Sequence, residues 1–205
     1  MNAILSLGLG YFVGCISPAA WVSKKKNVDL KQEGTKNLGA TNTAFVLGKA
    51  AGIFVLVFDI AKSFFSYKIA KLLFPYLRIA GIIACIGCIL GHCFPVFMHF
   101  QGGKGLAAFG GLILAYSPWM FLTIITIGII LMILCNTGVV APLMGCVVFP
   151  VMVYCTGHDL VETLAVAAAS TIIMMTHWSN FRREKEKNDL VKTDEFLTKV
   201  FKKKK

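Results

Sequence analysis

The chain has 205 residues, of which 57% are hydrophobic and 15% charged. A mean hydropathy of +0.72 is too high for a soluble domain built round one core, so the composition specifies an integral membrane protein. The net charge of +11 does not point to nucleic acid, because no Lys or Arg occurs between Gly105 and Phe181 and no aromatic-basic binding motif is present.

The first apolar segment, residues 3–22, is long enough to span a bilayer. It lacks the basic flank and cleavage site of a signal peptide and reads as the first transmembrane helix. Residues 23–43 are polar and form a loop or surface helix. A second span covers 49–74, closed by Pro75, and a third covers 79–97. From Gly105 to Cys155 the sequence is continuously apolar, too long for two crossings at a rise of about 1.5 Å per residue. Ser117-Pro118 and Asn136-Thr137-Gly138 divide it. The pieces are a short span of roughly twelve residues, tilted or partly inserted, and two full spans at 119–135 and 139–155. Thr156-Gly157-His158-Asp159 is a turn, and 160–178 is the last span.

The expected fold is therefore an all-α integral membrane protein with seven transmembrane helices. Seven crossings place the termini on opposite sides. Basic residues concentrate in 24–36 and 182–205, which makes the C-terminus cytoplasmic and the N-terminus external. The membrane domain is 1–181 and the basic cytoplasmic tail 182–205. In that tail, Val191, Phe196, Leu197 and Val200 could line one face of a surface helix, or the tail could be solvated. Cys15, Cys85, Cys88, Cys93, Cys135, Cys146 and Cys155 all lie in or beside apolar stretches, where an extracellular disulfide framework has no place. Cys85-x-x-Cys88 falls within a buried helix and reads as packing rather than a metal or redox site.

Three polar clusters share the cytoplasmic face, with Gly138 at another inner turn. In Gly91-His92-Cys93-Phe94-Pro95-Val96-Phe97 and Phe100-Gln101-Gly102-Gly103-Lys104-Gly105, glycines let backbone N–H groups form a concave nest. Lys104 adds a point charge, and the following helix presents its positive end, so the turn reads as an anion site suited to phosphate. A second cluster, Glu33-Gly34-Thr35-Lys36-Asn37-Leu38-Gly39-Ala40-Thr41-Asn42, could line a polar pocket or serve as turn and N-cap. The third is His177-Trp178-Ser179-Asn180-Phe181-Arg182-Arg183. His177 and Asn180 lie three apart, so a continuing helix sets them side by side, a possible proton acceptor beside an orienting amide. Asp59 and Lys62, also three apart, are costly inside a span and either serve the site or form a structural pair. Nucleophile elbows, zinc-protease motifs and a Walker loop are missing, so a transferase here needs a donor that arrives already activated.

Together these clusters resemble the bacterial membrane acyl-phosphate:glycerol-3-phosphate acyltransferase family, usually called PlsY, over almost the whole chain. The resemblance implies acyl transfer from a fatty acyl phosphate to the 1-hydroxyl of glycerol 3-phosphate, giving lysophosphatidic acid, at a cytoplasmic-facing site in the bacterial inner membrane, without metal, cofactor or acyl-CoA. Lys104, His177 and Asn180 would be catalytic. Thr35, Lys36, Asn37, Gly39, Thr41, Asn42, His92, Gly102, Gly103, Gly105 and Arg183 would bind substrate, and Asp59 and Lys62 would support them. The partners implied are acyl phosphate, glycerol 3-phosphate and membrane lipid, with the chain acting as a monomer.

The sequence also departs from the family pattern. Thr35 stands for Ser, Lys36 for Gly, Phe45 for Arg, Gln101 for Lys, Ala108 and Phe109 for small hydroxyl residues, Pro142 for Ser and Glu184 for Leu. Losing an Arg removes a bidentate phosphate partner. The alternatives are thus an acyltransferase with a less anionic acceptor and a non-catalytic lipid-binding or transport protein, although no internal repeat of the transporter kind is evident.

Overall fold

The computed structural model describes residues 1–185 and 193–201. The described residues are all-helical, without strands. The helices are α1 (Asn2–Gly14), α2 (Pro18–Lys26), α3 (Ala40–Leu47), α4 (Lys49–Leu73), α5 (Ala80–Cys93), α6 (Leu106–Tyr116), α7 (Pro118–Cys135), α8 (Val140–Cys155), α9 (Leu160–Lys185) and α10 (Thr193–Phe201), with a short 3-10 turn at Val96–Met98. Five segments are long and apolar enough to cross a membrane: Asn2–Lys26, Lys49–Leu73, Ala80–Met98, Pro118–Cys135 and Leu160–Trp178. Leu106–Tyr116 and Val140–Cys155 are apolar but shorter.

The first span differs from expectation, because α1 ends at Gly14 and a new helix starts at Pro18. Proline has no N–H to give and is tolerated at a helix's first position, where that N–H would be orphaned anyway. Ser17 caps the new helix, its Oγ accepting the Ala20 N–H at 3.3 Å. The carbonyls freed at the break do not go unpaired: Lys62 Nζ donates to Gly14 O at 3.1 Å and Ile16 O at 2.9 Å. At the other end of the chain, α9 runs on through Lys185, beyond the expected span limit at 178 and across the boundary at 181.

Glycines set the closest helix pair. Gly10 and Gly14 on α1 lie against the α5 backbone, and Gly87 and Gly91 on α5 against the α1 backbone, each pair spaced four apart. A Cβ at Gly10 would fall 1.8 Å from Ala84 O, at Gly14 2.2 Å from Cys88 O, at Gly87 2.1 Å from Leu7 O, and at Gly91 2.0 Å from Tyr11 O. Only bare backbones approach this closely, which is how membrane helices gain packing contact without a hydrophobic driving force between them. The main core then gathers Ile89, Phe109, Leu112, Phe149, Val153, Val166 and Ile173 from α5, α6, α8 and α9. Phe109 packs edge-on to Phe149, with ring centres 5.9 Å apart. Met120 and Ile124 of α7 join this core, while much of its remaining apolar surface, including Leu122, Ile129, Ile133 and Leu134, stays exposed, as a lipid-facing helix requires.

The bundle has two chemically distinct ends. At one, Arg78 pairs with Asp159 and, at 3.0 Å, with Glu162; Tyr116 and His158 each reach Glu162 at 2.8 Å. Met1, Asn2 and Ala3 line a cleft with Tyr76 and Leu77 at this same end. The opposite end collects the loop after α2, the glycine turn after α5, the α7–α8 turn and the C-terminal stretch of α9.

Candidate active site

The glycine turn is built against its own helix end. Gly102 and Gly103 donate their N–H groups to Cys93 O at 3.0 Å and His92 O at 3.1 Å, folding the chain back on α5. A Cβ at Gly103 would meet His92 Nε2 at 2.3 Å and Leu38 O at 2.6 Å, so the turn is wedged between the His92 ring and the loop before α3. Gly105 takes φ +82 to start α6, with Cys93 and Ile173 close on either side. The half-buried Lys104 is thereby carried to α9, where its Nζ donates to Asn180 Oδ1. Its backbone carbonyl accepts the Thr176 hydroxyl at 2.8 Å. Ile173, Thr176, His177 and Asn180 recur at helical spacing, so the turn lies along one face of α9.

His177 is 5% exposed, and its Nδ1 lies 3.0 Å from Ile173 O. A carbonyl only accepts, so Nδ1 carries the ring proton and Nε2 of the neutral imidazole keeps the lone pair. The ring is thus held with Nε2 as an acceptor, on the same helix face as the residue that engages Lys104. Thr176, whose hydroxyl fixes the turn, escaped the sequence reading; its place next to His177 on the turn-facing side of the helix is the signal that could have found it.

Beneath the turn lies a buried charge network. Lys62 Nζ sits 2.8 Å from Asp59 Oδ1 and 3.0 Å from His92 Nδ1, while Asp59 and His92 are 3.4 Å apart. The three N–H groups of Lys62 are shared among Gly14 O, Ile16 O, Asp59 and the Nδ1 edge of His92, while the Nε2 edge of His92 faces Gly103. His92 was expected to bind substrate. It is 6% exposed, with its Nδ1 edge against Lys62 and Asp59 and its Nε2 edge packed on the glycine turn. Asp59 and Lys62 lie deeper still, joining α4, the break in the first span and α5.

The loop before α3 is fastened by Asn42, which is fully buried. Its Oδ1 accepts the Thr35 N–H at 2.7 Å, and its Nδ2 lies 2.9 Å from Leu30 O, 3.1 Å from Glu33 O and 3.0 Å from Asn37 O. Both polar atoms of this amide are thus engaged by the loop's own backbone, which fastens residues 30–37 to α3. Thr35 and Asn37 are half-buried, Lys36 and Thr41 exposed. Lys36 holds φ +55, the left-handed conformation that favours glycine. Gly39 begins α3 and accepts from both the N–H and the hydroxyl of Thr43, at 3.0 and 2.9 Å. Lys31 reaches across to the turn and donates to Gln101 Oε1 at 3.3 Å.

The remaining departures also have physical places. Ala108 and Phe109 lie in the main core, where an apolar side chain packs. Pro142 is buried in the first turn of α8, which tolerates proline. Of Arg183 and Glu184, only their places in α9 fall within the described structure; Val191 lies outside the described residues. All seven cysteines are free, and no group of His, Cys, Asp and Glu among the described residues has the arrangement of a metal site.

Comparison with known proteins points in one direction. The sequence profile described as "Glycerol-3-phosphate acyltransferase" matches residues 4–187. A glycerol-3-phosphate acyltransferase of Streptococcus gordonii is 35% identical over 203 residues, 92% of each chain. One of Coxiella burnetii is 35% identical over 189 residues, covering 89% of this chain and 94% of that protein. The chain also resembles the crystal structure of PlsY, an integral membrane glycerol 3-phosphate acyltransferase. With its glycerol 3-phosphate form it shares a TM-score of 0.86 and 26% identity, over 93% of this chain and 95% of the other. With the lysophosphatidic acid form the TM-score is 0.85 at 26% identity, over 96% and 99%.

Proposed function

The chain belongs to the glycerol-3-phosphate acyltransferase family, and on that premise we propose that it transfers a fatty acyl group from acyl phosphate to the 1-hydroxyl of glycerol 3-phosphate, making lysophosphatidic acid for phospholipid synthesis. The observation that carries this reading is the meeting of Lys104 with Asn180, one helical turn from a His177 whose Nδ1 is committed to Ile173 O. An anion-binding cation and a general base are thereby brought to one place.

In this reading the turn and Lys104 hold phosphate, and Thr35, Lys36, Asn37 and Thr41 edge the polar pocket. His177 Nε2 takes the proton of the 1-hydroxyl as its oxygen attacks the acyl carbonyl carbon. The bond from that carbon to the phosphate oxygen breaks, the phosphate leaves with its electron pair, and Lys104 together with the N-terminal dipole of α6 stabilises the charge. The imidazolium then returns its proton to the leaving phosphate or to water. Asn180 orients Lys104 and the acceptor. A mixed anhydride is already activated, so positioning and charge stabilisation suffice without a covalent enzyme intermediate.

The site end faces the cytoplasm of a bacterial inner membrane, with seven helical crossings, an external N-terminus and a working monomer. The basic loop 24–36 beside the site supports that orientation. The experiment is product formation by detergent-purified protein given palmitoyl phosphate and glycerol 3-phosphate, with palmitoyl-CoA and glycerol as controls. Lysophosphatidic acid that depends on the acyl phosphate is expected. Formation from palmitoyl-CoA alone, or acylation of glycerol in its place, would contradict the reading.

A further inference from the structure

The described part of the C-terminal tail folds onto the site end. α10 is pinned at its start by Asn136, whose Oδ1 accepts the Asp194 N–H at 3.0 Å. Near its end, Lys199 Nζ lies 3.6 Å from the centre of the Phe45 ring on α3. That ring stands in turn against the loop: its Cδ1 is 3.2 Å from where a Cβ of Gly34 would be, next to the Thr35 amide that Asn42 holds. The same loop meets the glycine turn at Leu38 O.

A cation resting on an aromatic face is held by the ring quadrupole and keeps its full charge, because the ring brings no counter-charge. Lys199 is exposed, and it sits in the last turn of α10, where the helix dipole favours a cation. The tail therefore delivers a positive charge to the loop that carries Thr35, Lys36 and Asn37. A two-point anchor of this kind, Asn136 to Asp194 and Phe45 to Lys199, fixes where the charge stands.

We propose that Lys199 is a substrate-binding residue, docked on Phe45 so that its ammonium contacts the phosphate of the acceptor, and that α10 thereby completes the acceptor site. The inference rests on the reading of the site given above. An ammonium is a point charge that binds a phosphate equally in the ground and transition states, so its contribution belongs in the acceptor's KM and not in kcat.

The test is steady-state kinetics of the full chain in detergent, comparing the unaltered protein with Lys199→Gln, Lys199→Arg and Phe45→Leu. Lys71→Gln, at the far end of α4, is the control. Lys199→Gln and Phe45→Leu should each raise KM for glycerol 3-phosphate by about five- to tenfold, the effect of losing one exposed charge-assisted contact. Their kcat and KM for palmitoyl phosphate should stay within about twofold, and Lys199→Arg should keep the unaltered acceptor KM. If the unaltered protein makes lysophosphatidic acid and Lys199→Gln leaves the acceptor KM unchanged, or lowers kcat alone, the proposal is overturned while the reading of the site stands. An unaltered protein that does not acylate glycerol 3-phosphate overturns both.

Discussion

Lys104 is bonded to Thr176 and Asn180, the neighbours of His177 on α9, and the proposed roles of Lys104 and His177 differ, so their variants should separate accordingly. His177→Ala removes the proton acceptor, so kcat should fall by about 10²–10⁴-fold while the acceptor KM changes little, measured as initial rates against glycerol 3-phosphate. Gly103→Ala probes the turn without touching a charge. Its Cβ would need the space now held by His92 Nε2 and Leu38 O, so the turn must shift. We expect about 1–3 kcal/mol of destabilisation in thermal unfolding and loss of most kcat/KM. The grouping of Lys104, His177 and Asn180 was legible in the sequence because each sits in a dense polar cluster beside an apolar span. The internal partners of Asn42 and His92 were not. Asn42 spends its amide on backbone groups of residues 30, 33, 35 and 37, and His92 is claimed by Lys62, 30 positions away. A polar residue in a motif reads as a ligand until its internal partners are known.

Among the elements, the broken first span depends on a side chain from α4. Lys62 closes the gap between α1 and α2 while neutralising Asp59. Lys62→Met should therefore cost about 3–5 kcal/mol in denaturant or thermal unfolding, the usual consequence of stranding a buried charge. Pairing it with Asp59→Asn should recover part of that loss, whereas additive losses in the double variant would show that the two residues do not interact. Sequence patterning placed the apolar helices well, because hydropathy and the breaks at Ser117-Pro118 and Asn136-Gly138 mark helix ends directly, although Val140–Cys155, expected as a full span, is one of the shorter apolar helices. It missed the break at Ser17-Pro18, where the flanking residues stay apolar and the compensating donor lies on another helix. The last span, 160–178, agrees with the apolar stretch Leu160–Trp178, while the helix itself continues through charged residues to Lys185. Membrane limits and helix limits are different quantities.

At the scale of the whole molecule, the exposed Cys135 and Cys155 report the proposed topology without introducing new residues. Cys135 adjoins Asn136 at the site end; Cys155 adjoins the turn that carries Asp159 at the far end. A membrane-impermeant maleimide should label Cys155 in intact cells and reach Cys135 only after permeabilisation. The reverse pattern would invert the orientation. The two-ended organisation follows from charge: Arg78 is clasped by Asp159 and Glu162 at one end, whereas the loops at the other carry an excess of lysines beside the glycine turn. The central claim, that the turn and α9 together form the acyl-transfer site, is tested most directly by the kcat/KM for glycerol 3-phosphate of Lys104→Ala at saturating palmitoyl phosphate. Loss of an anion-stabilising charge should lower it by about 10²–10³-fold with the folded protein otherwise intact. A value equal to that of the unaltered protein would contradict the account.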